Sequence, residues 1–435
     1  MQIAELHPKE TTFVLLSFEG PDLYSLAGGL GVRVSELAQT LATLGYETHI
    51  FFVGDPDKPE RESHANLPLT WWRVAQEVSR RFPTGVYAGE HQKHAVYTSV
   101  VPYLVIEQVV KAAVERRKHV IIMGEEWHTS ETMVVLHQRL LEENLRRAVI
   151  MLWNANNIFG FDQIDWQRLQ EAAHITAVSR YMKLRMWEYG INPLIIPNGV
   201  PMRFLDPVRA DLVTPLQNIA KERLLLTKTA RFDPSKNWIQ AIHAVARLKA
   251  LGLRPLLLAR GGLEPYGGVV WNETHLLNLH HLRLTLRRPT PEEALYHIRM
   301  CADEADVLEL DFYVPEALLR AAFKASHAVL ANSGHEPFGL VGLETMAVGG
   351  VAFTGSTGED YAQHWHNAIM LDTSDPMEIV GNLLYLQEHP ELEENLRRNG
   401  PATARFYLWE RVVETLRSKV RHLLLENNWP SGVGA

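Results

Sequence analysis

Glu336-Pro337-Phe338-Gly339-Leu340-Val341-Gly342-Leu343-Glu344 sets two carboxylates on either side of a Pro/Gly break. The apolar run Ala328-Val329-Leu330-Ala331 before it has the length of a buried strand. The small-residue segment after it continues through Thr345-Met346-Ala347 to a stop at Gly349-Gly350. The pattern predicts strand, loop, helix, with Glu336 in the loop and Glu344 on the first turns of the helix. The amides of Phe338 to Val341 then lack partners at the positive end of a helix. Such a corner suits a ligand bearing hydroxyls and phosphates, because carboxylates accept from hydroxyls and helix-start amides hold phosphate oxygens. Glutamates at this spacing also occur on ordinary solvated helix faces. The reading therefore rests on the Pro-Phe-Gly turn between them and on the motifs below.

Short apolar runs alternate with helical periodicity over almost the whole chain, which predicts an α/β protein with parallel sheets. In the first half, strands are expected at 12–18, 48–53, 119–123, 148–153, 174–178 and 194–196. A helix after the first strand carries Val34, Leu37, Ala38, Leu41 and Leu44 on one face and closes at Gly45. The segment Pro201-Met202-Arg203-Phe204-Leu205-Asp206-Pro207 has breakers at both ends and reads as a crossover. A second series has strands at 224–229, 255–259, 307–312, 328–331, 351–354 and 368–371, and a helix over 238–251. The tail from 402 to 427 reads as one or two amphipathic helices, and the final SGVGA as frayed.

At 435 residues the chain exceeds one ordinary core, so two domains are expected. Apolar residues make up 46% and charged residues 22%, an ordinary globular balance. A net charge of -8 argues against general binding to nucleic acid or anionic membranes. A single cysteine, Cys301, leaves no internal disulfide framework and fits a reducing, cytoplasmic setting. The opening MQIAELHPKETT carries acids and lacks the apolar segment of a signal peptide. No apolar run is long enough for a membrane span.

Further motifs fall at expected strand ends. Arg231 and Lys236, in Thr229-Ala230-Arg231-Phe232-Asp233-Pro234-Ser235-Lys236, follow the first strand of the second series. Fixed cations there suit a departing diphosphate. Gly28-Gly29-Leu30-Gly31 lies between the first strand and the first helix, where bare backbone lets phosphate or sugar approach. A dinucleotide fingerprint is the rival reading of this loop, with Asp55 as its acid. Val34 stands where the third glycine belongs, and the loop from Phe18 is too long. Glu125-Glu126-Trp127-His128 follows another strand. Glu125-x-x-His128 has metal-ligand spacing, but no second such pair is suitably placed, so no metal site is expected. Trp153-Asn154-Ala155-Asn156-Asn157-Ile158-Phe159 offers amides and aromatic faces to sugar hydroxyls and C–H surfaces. It reads equally well as a turn over core aromatics. Arg260-Gly261-Gly262 and Gly355-Ser356-Thr357-Gly358-Glu359 are further loops at strand ends.

Glu336-x7-Glu344, with Arg231-x4-Lys236, resembles the signature of retaining GT-B glycosyltransferases of the GT4 type, the glycogen and sucrose synthase-like superfamily. Gly28-Gly29-Leu30 is similar to the G-G-L loop of the glycogen and starch synthases, although Leu26 stands where those enzymes have lysine. Glu126-Trp127-His128 is similar to the family's D-W-H segment, and Val178–Met182 and Ile196–Val200 match framework landmarks. The resemblance implies two doubly wound Rossmann-like domains facing a central cleft. These would be residues 1–202, with a helix over 406–435 packing back on them, as the acceptor side, and 203–405 as the donor side.

It implies transfer of a hexose, with retention, from a nucleoside-diphosphate sugar to a hydroxyl of a small sugar, sugar phosphate or polyol. No cofactor, metal, nucleic acid or membrane span is required, and base and oligomeric state are left open. Glu336 would hold donor-sugar hydroxyls and Glu344 the ribose. Arg231, Lys236 and the amides of Phe338, Gly339 and Leu340 would stabilise the leaving diphosphate, with Gly28 and Gly29 near the donor. His128 would steady the sugar ring. Trp127, Asn154, Asn156 and Asn157 are the acceptor-side candidates. In the mechanism often proposed for the family, a phosphate oxygen takes the acceptor proton, so no protein base is needed. A GT-B sugar phosphorylase and a non-catalytic nucleotide-sugar sensor are the alternatives.

Overall fold

The computed structural model describes residues 6–426, which form two compact units. One comprises residues up to Gly199 with the segment from Trp409 on; the other is Val200–Leu408.

The first unit is built on an eight-stranded sheet. Its strands are β1 (Thr11–Leu16), β2 (Glu47–Val53), β3 (Arg61–Ser63), β4 (Leu69–Val74), β5 (His119–Glu125), β6 (Val149–Ala155), β7 (His174–Ala177) and β8 (Leu194–Ile195). They lie in the order β3-β4-β2-β1-β5-β6-β7-β8, with only β3 and β4 antiparallel. All of β1 is buried, as a central parallel strand covered on both faces must be. Helix α1 (Gly29–Thr43) turns Val34, Leu37, Ala38 and Leu41 inward. These residues share a core with Phe13 and Leu15 of β1 and with Trp409, Val412, Val413, Leu416 and Val420 of the helix Trp409–Glu426. Helix α2 (Glu90–Val105) lies beside the same sheet and carries Glu90 and Lys93 in its first turns. From β1 the chain runs out through β2 and β4, then returns to β5 on the other flank of β1. The loops leaving β1 and β5 therefore flank the strand-order reversal where doubly wound sheets hold ligands.

The second unit carries a seven-stranded, wholly parallel sheet. Its strands are β9 (Leu224–Thr229), β10 (Pro255–Arg260), β11 (His281–Thr285), β12 (Val307–Asp311), β13 (Ala328–Ala331), β14 (Ala352–Thr354) and β15 (Ile369–Met370), in the order β11-β12-β10-β9-β13-β14-β15. Here the reversal lies between β9 and β13. The loops that leave them carry Arg231 and Lys236 on one side and Glu336 on the other. Helices α3 (Trp238–Ala250) and α4 (Leu340–Ala347) follow those loops.

The expected strands are all present, with ends displaced by up to two residues. Three further strands, β3, β4 and β11, were not expected from the sequence. β3 is three residues long with two exposed, too short for an alternation to show, whereas the half-exposed edge strand β11 does alternate, with Leu282 and Leu284 set between His281, Arg283 and Thr285. The expected frayed end and the last part of the helix placed at 406–435 lie outside the described residues. No helix among the described residues is long and apolar enough to cross a membrane.

Candidate active site

In the first unit, the loop after β1 is pinned from several sides. Asp22 is fully buried and accepts from Arg73 Nε at 2.7 Å, Arg73 Nη2 at 3.0 Å, Lys58 at 3.0 Å and the Asp55 amide at 3.1 Å. Buried Lys93 donates to the Tyr24 hydroxyl at 2.6 Å and to the carbonyls of Gly85 and Val86. Glu19, also buried, turns its carboxylate into the glycine loop. One oxygen accepts from the amides of Ala27 (3.2 Å), Gly28 (2.9 Å) and Gly31 (3.1 Å), and the other from the Tyr87 hydroxyl (2.6 Å). The Gly28 amide is thus already engaged, whereas Gly29 has open space around its Cα.

His128 sits at the end of β5 in an aromatic stack, 4.3 Å from the Phe18 ring and 4.0 Å from the Trp127 ring. Its Nε2 meets Glu90 Oε1 at 2.7 Å, its carbonyl accepts from His94 at 2.9 Å, and its Nδ1 is buried with no hydrogen-bond partner. Burial, opposed by Glu90, pushes the imidazole pKa down to about 4, so the ring is neutral near pH 7. Glu126, just before it, adopts φ 67 and ψ 168, a region that side-chain-bearing residues rarely occupy. Its carboxyl accepts from the Asn156 and Asn157 amides at 2.7 and 3.1 Å. Burial raises that carboxyl to about pKa 8, against the Asn156 hydrogen bond and with the Glu125 charge adding to the rise.

Glu125 is wholly buried and paired with Arg33 at 3.1 Å; it also accepts from Asn154 (2.9 Å) and Asn156 (2.7 Å). Asn154 has no exposed surface, and its side-chain oxygen takes the Thr176 hydroxyl at 2.8 Å. It is an internal strut, which corrects its reading as an acceptor-facing amide. Asn156 and Asn157 are half-buried, and Phe159 beside them is 69% exposed.

In the second unit the loops after β9 and β13 are stitched together. Gly334 N donates to Ser235 O at 2.8 Å, and Asn332 Nδ2 donates to Asn237 O (3.2 Å) and Gln240 Oε1 (2.6 Å). Asp233 caps the short turn Pro234–Lys236, and Asn237, in the left-handed conformation, starts α3. Lys236 and Glu336 form an ion pair, both largely buried. Arg231 is exposed, with its carbonyl fixed by Trp238 Nε1 at 2.9 Å.

A third loop, after β14, closes on Glu336 from the other side. Thr357 Oγ1 accepts from the Glu336 amide at 3.0 Å and donates to Gly334 O at 3.2 Å. Gly339 begins α4 with φ +80 and no side-chain cap, and its carbonyl accepts from Tyr361. A methyl group there would stand 2.8 Å from Glu359 Oε1, so glycine is required twice over. The Phe338 ring is buried against Tyr361 and Tyr407, which leaves only its backbone for a ligand. Glu344 is half-buried on α4.

Two buried groups here were not anticipated. Glu359 is 7% exposed and neither of its side-chain oxygens has a hydrogen-bond partner among the described residues. Burial first, then the Glu336 charge, holds its carboxyl well above the usual range. Lys228 of β9 is 1% exposed and, among the described residues, bonds only to Leu330 O, at 3.2 Å, and Asn332 Oδ1. Among the described residues, no group of three or more His, Cys, Asp or Glu is placed to hold a metal ion.

Two family models match the chain in succession, Glycosyltransferase Family 4 over residues 27–204 and Glycosyl transferases group 1 over residues 215–403. The chain belongs to the GT4-type glycosyltransferases. A curated relative of this glycosyltransferase is the D-inositol 3-phosphate glycosyltransferase of Thermomonospora curvata, 25% identical over 114 residues. That match spans 26% of this chain and 26% of the relative's length. Among solved structures, sucrose-phosphate synthase from Thermosynechococcus elongatus superposes with a TM-score of 0.65 at 17% identity, covering 96% of this chain and 100% of that one. The catalytic domain of starch synthase IV from Arabidopsis thaliana, bound to ADP and acarbose, gives 0.66 at 13% identity, covering 96% and 99%. These likenesses carry the fold, which is GT-B.

In this GT4-type chain the expected residues fall into two groups. Gly28, Trp127 and His128 gather around Phe18, Glu19 and Tyr87 in the first unit. Lys236 and Glu336 meet in the second, with the start of α4 in the same loop as Glu336. Glu19 and Glu90 escaped notice, and Glu126 entered only as part of a motif, because each acts through partners its own motif does not contain. Lys228 carried a local signal: a lysine two places after Leu226 in an apolar strand falls on its core-facing side.

Proposed function

We propose that this glycosyltransferase moves a hexose from a nucleoside-diphosphate sugar to a hydroxyl of a small sugar, sugar phosphate or polyol, with retention of configuration. The observation that carries the donor reading is the Lys236–Glu336 pair beside the uncapped start of α4. A diphosphate entering there gains a cation and free amides, while Glu336, relieved of Lys236, turns to sugar hydroxyls. Arg231, exposed on the same loop as Lys236, adds a second cation. Glu344 on α4 is the ribose acceptor. In the first unit His128, neutral and held by Glu90, is assigned to the sugar ring, and Trp127 with the Asn156–Asn157 turn to the acceptor. A leaving-phosphate oxygen takes the acceptor proton.

The named activities of the inositol phosphate glycosyltransferase and of sucrose-phosphate synthase support a phosphorylated or small polyol acceptor. The ADP in the starch synthase supports a nucleoside diphosphate leaving group. The test is nucleoside diphosphate release from UDP-, ADP- and GDP-sugars, with and without pooled acceptors. Release from one donor, lost in Glu336→Ala, is the expected result. Silence across the panel with phosphate-dependent release of a sugar phosphate would make the protein a phosphorylase. Donor binding without turnover would make it a sensor.

A further inference from the structure

Leu224, Leu226 and Lys228 alternate onto one face of β9, and the two leucines belong to the core beneath α3. A leucine or valine would serve packing at 228. The lysine instead bears a desolvation cost with two neutral oxygens as its only hydrogen-bond partners, Leu330 O and Asn332 Oδ1. Among the described residues no carboxylate lies within ion-pair reach of it. Its ammonium stands 5.2 Å from the centre of the Trp238 ring, the first residue of α3. The charged groups that act on it are Lys236, from the loop after β9, and Glu336, from the loop after β13. Those two already neutralise one another. Asn332 fixes the geometry: its amide is committed to Asn237 and Gln240, so its oxygen must face Lys228. A buried residue that breaks the local rule without a compensating partner marks a functional demand.

We propose that Lys228 is a reserve cation of the donor site, kept without a counter-ion beneath the two loops and protonated when a nucleoside diphosphate brings negative charge. The inference rests on the reading of the second unit as the diphosphate site. Lys228 acts through charge and through Asn332, as a positioning residue. Burial pushes its pKa down to about 7, with Lys236 adding to the fall and Glu336 opposing it. Near pH 8 the free site therefore holds it largely neutral. A bound diphosphate restores the preference for the charged form, and the proton comes from solvent.

Calorimetric titration of the full chain with UDP, ADP and GDP at about pH 8, in two buffers of different ionisation enthalpy, counts that proton. The nucleotides' phosphates are already ionised at this pH. The expected result is uptake approaching one proton per nucleotide, with Kd weakening toward about tenfold per pH unit above pH 7.5. In Lys228→Met both effects vanish. Binding to the wild type without proton uptake, or uptake unchanged in Lys228→Met, overturns the proposal. His335→Asn and Glu359→Gln each remove one other proton-accepting group of these loops, which also hold Asp233, Glu336 and Asp360. Uptake kept in both but absent in Lys228→Gln, which keeps a polar side chain for Asn332 where Lys228→Met does not fold, assigns it to Lys228, and uptake lost in either or kept in Lys228→Gln overturns it. A folded wild type that binds none of the three nucleotides overturns the donor reading itself.

Discussion

The two glycine-led helix starts, each at the strand-order reversal of its own sheet, differ in what their amides hold. At α1, the amides of Ala27, Gly28 and Gly31 are occupied by Glu19. At α4 there is no side-chain cap, and the carboxyl packed against Gly339, that of Glu359, has no hydrogen-bond partner. One start has its anion built in, and the other is open to a ligand. A glycine turn before a helix announces an amide-lined anion site. Whether the chain fills that site itself is decided by a third segment. Both units also bury charged groups on neutral partners, Lys93 and Glu126 in the first and Lys228 in the second, but among the described residues only the second places such a lysine and the unbonded Glu359 beside an uncapped helix start.

The largest effects should follow from emptying the open site. Lys236→Ala and Glu336→Ala each remove a charge-assisted contact of about 1.5–3 kcal/mol, a loss of roughly ten- to a hundred-fold in turnover. Nucleoside diphosphate release in folded variants measures it. Unchanged turnover in Lys236→Ala would remove the leaving-group role and blur the contrast between the two starts.

The first unit should reveal its internal pairing through pH. His128 titrates at about 4 when folded, below the 6.5 of a free histidine. Between these values the unfolded chain binds the proton first, so stability is lost as pH falls from 6.5 toward 4. The loss is on the order of a few kcal/mol at most. Urea unfolding of wild type and His128→Asn across this range should show a shallower acid arm in the variant, the remainder coming from other, half-buried histidines, His94, His119, His137 and His327, that burial also holds below the usual range. Equal slopes would mean that the buried imidazole is not its source.

Glu19→Ala tests the built-in anion. It leaves three loop amides without their acceptor, a cost of about 1–3 kcal/mol. Sulfate or phosphate should restore part of the melting temperature by occupying the vacated amides. A variant as stable as wild type, or one that sulfate does not help, would show that Glu19 is not what the loop is built around.

Legibility in the sequence divides along the same line. The α/β class and the central strands were legible because continuous apolar runs mark strands buried on both faces. The edge strand β11 was not expected although Leu282 and Leu284 alternate with His281, Arg283 and Thr285, because so short an alternating run stands out little beside the continuous apolar strands. Arg231, Lys236 and Glu336 were legible because each motif is local and ends a predicted strand. Glu90 holding His128 and Glu125 holding Asn154 were not, because pairs so far apart leave no spacing to read, and Glu19 holding Gly28 was not, because a lone acid nine residues before a glycine forms no motif. The amide-rich turn pointed to hydrogen bonding, and only the fold shows that Asn154 makes its bonds inside.

The smallest expected effect is the sharpest test of the comparison, since it sets one glycine against the other. Gly339 has φ +80, and an added methyl would meet Glu359 and the Tyr361 hydroxyl within 2.9 Å. Gly339→Ala should cost about 1–3 kcal/mol in left-handed strain alone, and donor affinity should fall with it. Gly29 lies at the first position of α1, outside the left-handed region, and a methyl there meets nothing within 4 Å. Gly29→Ala should leave stability within about 0.5 kcal/mol of wild type, or raise it slightly by restricting the unfolded chain. Nucleotide affinity distinguishes the two possible uses of this glycine. If the first loop serves chiefly to receive its own Glu19, Gly29→Ala binds nucleoside diphosphate as wild type does. A clear loss of affinity at unchanged stability would mean that bare backbone at Gly29 is needed for ligand approach, and that Glu19 does not use the whole of the first helix start.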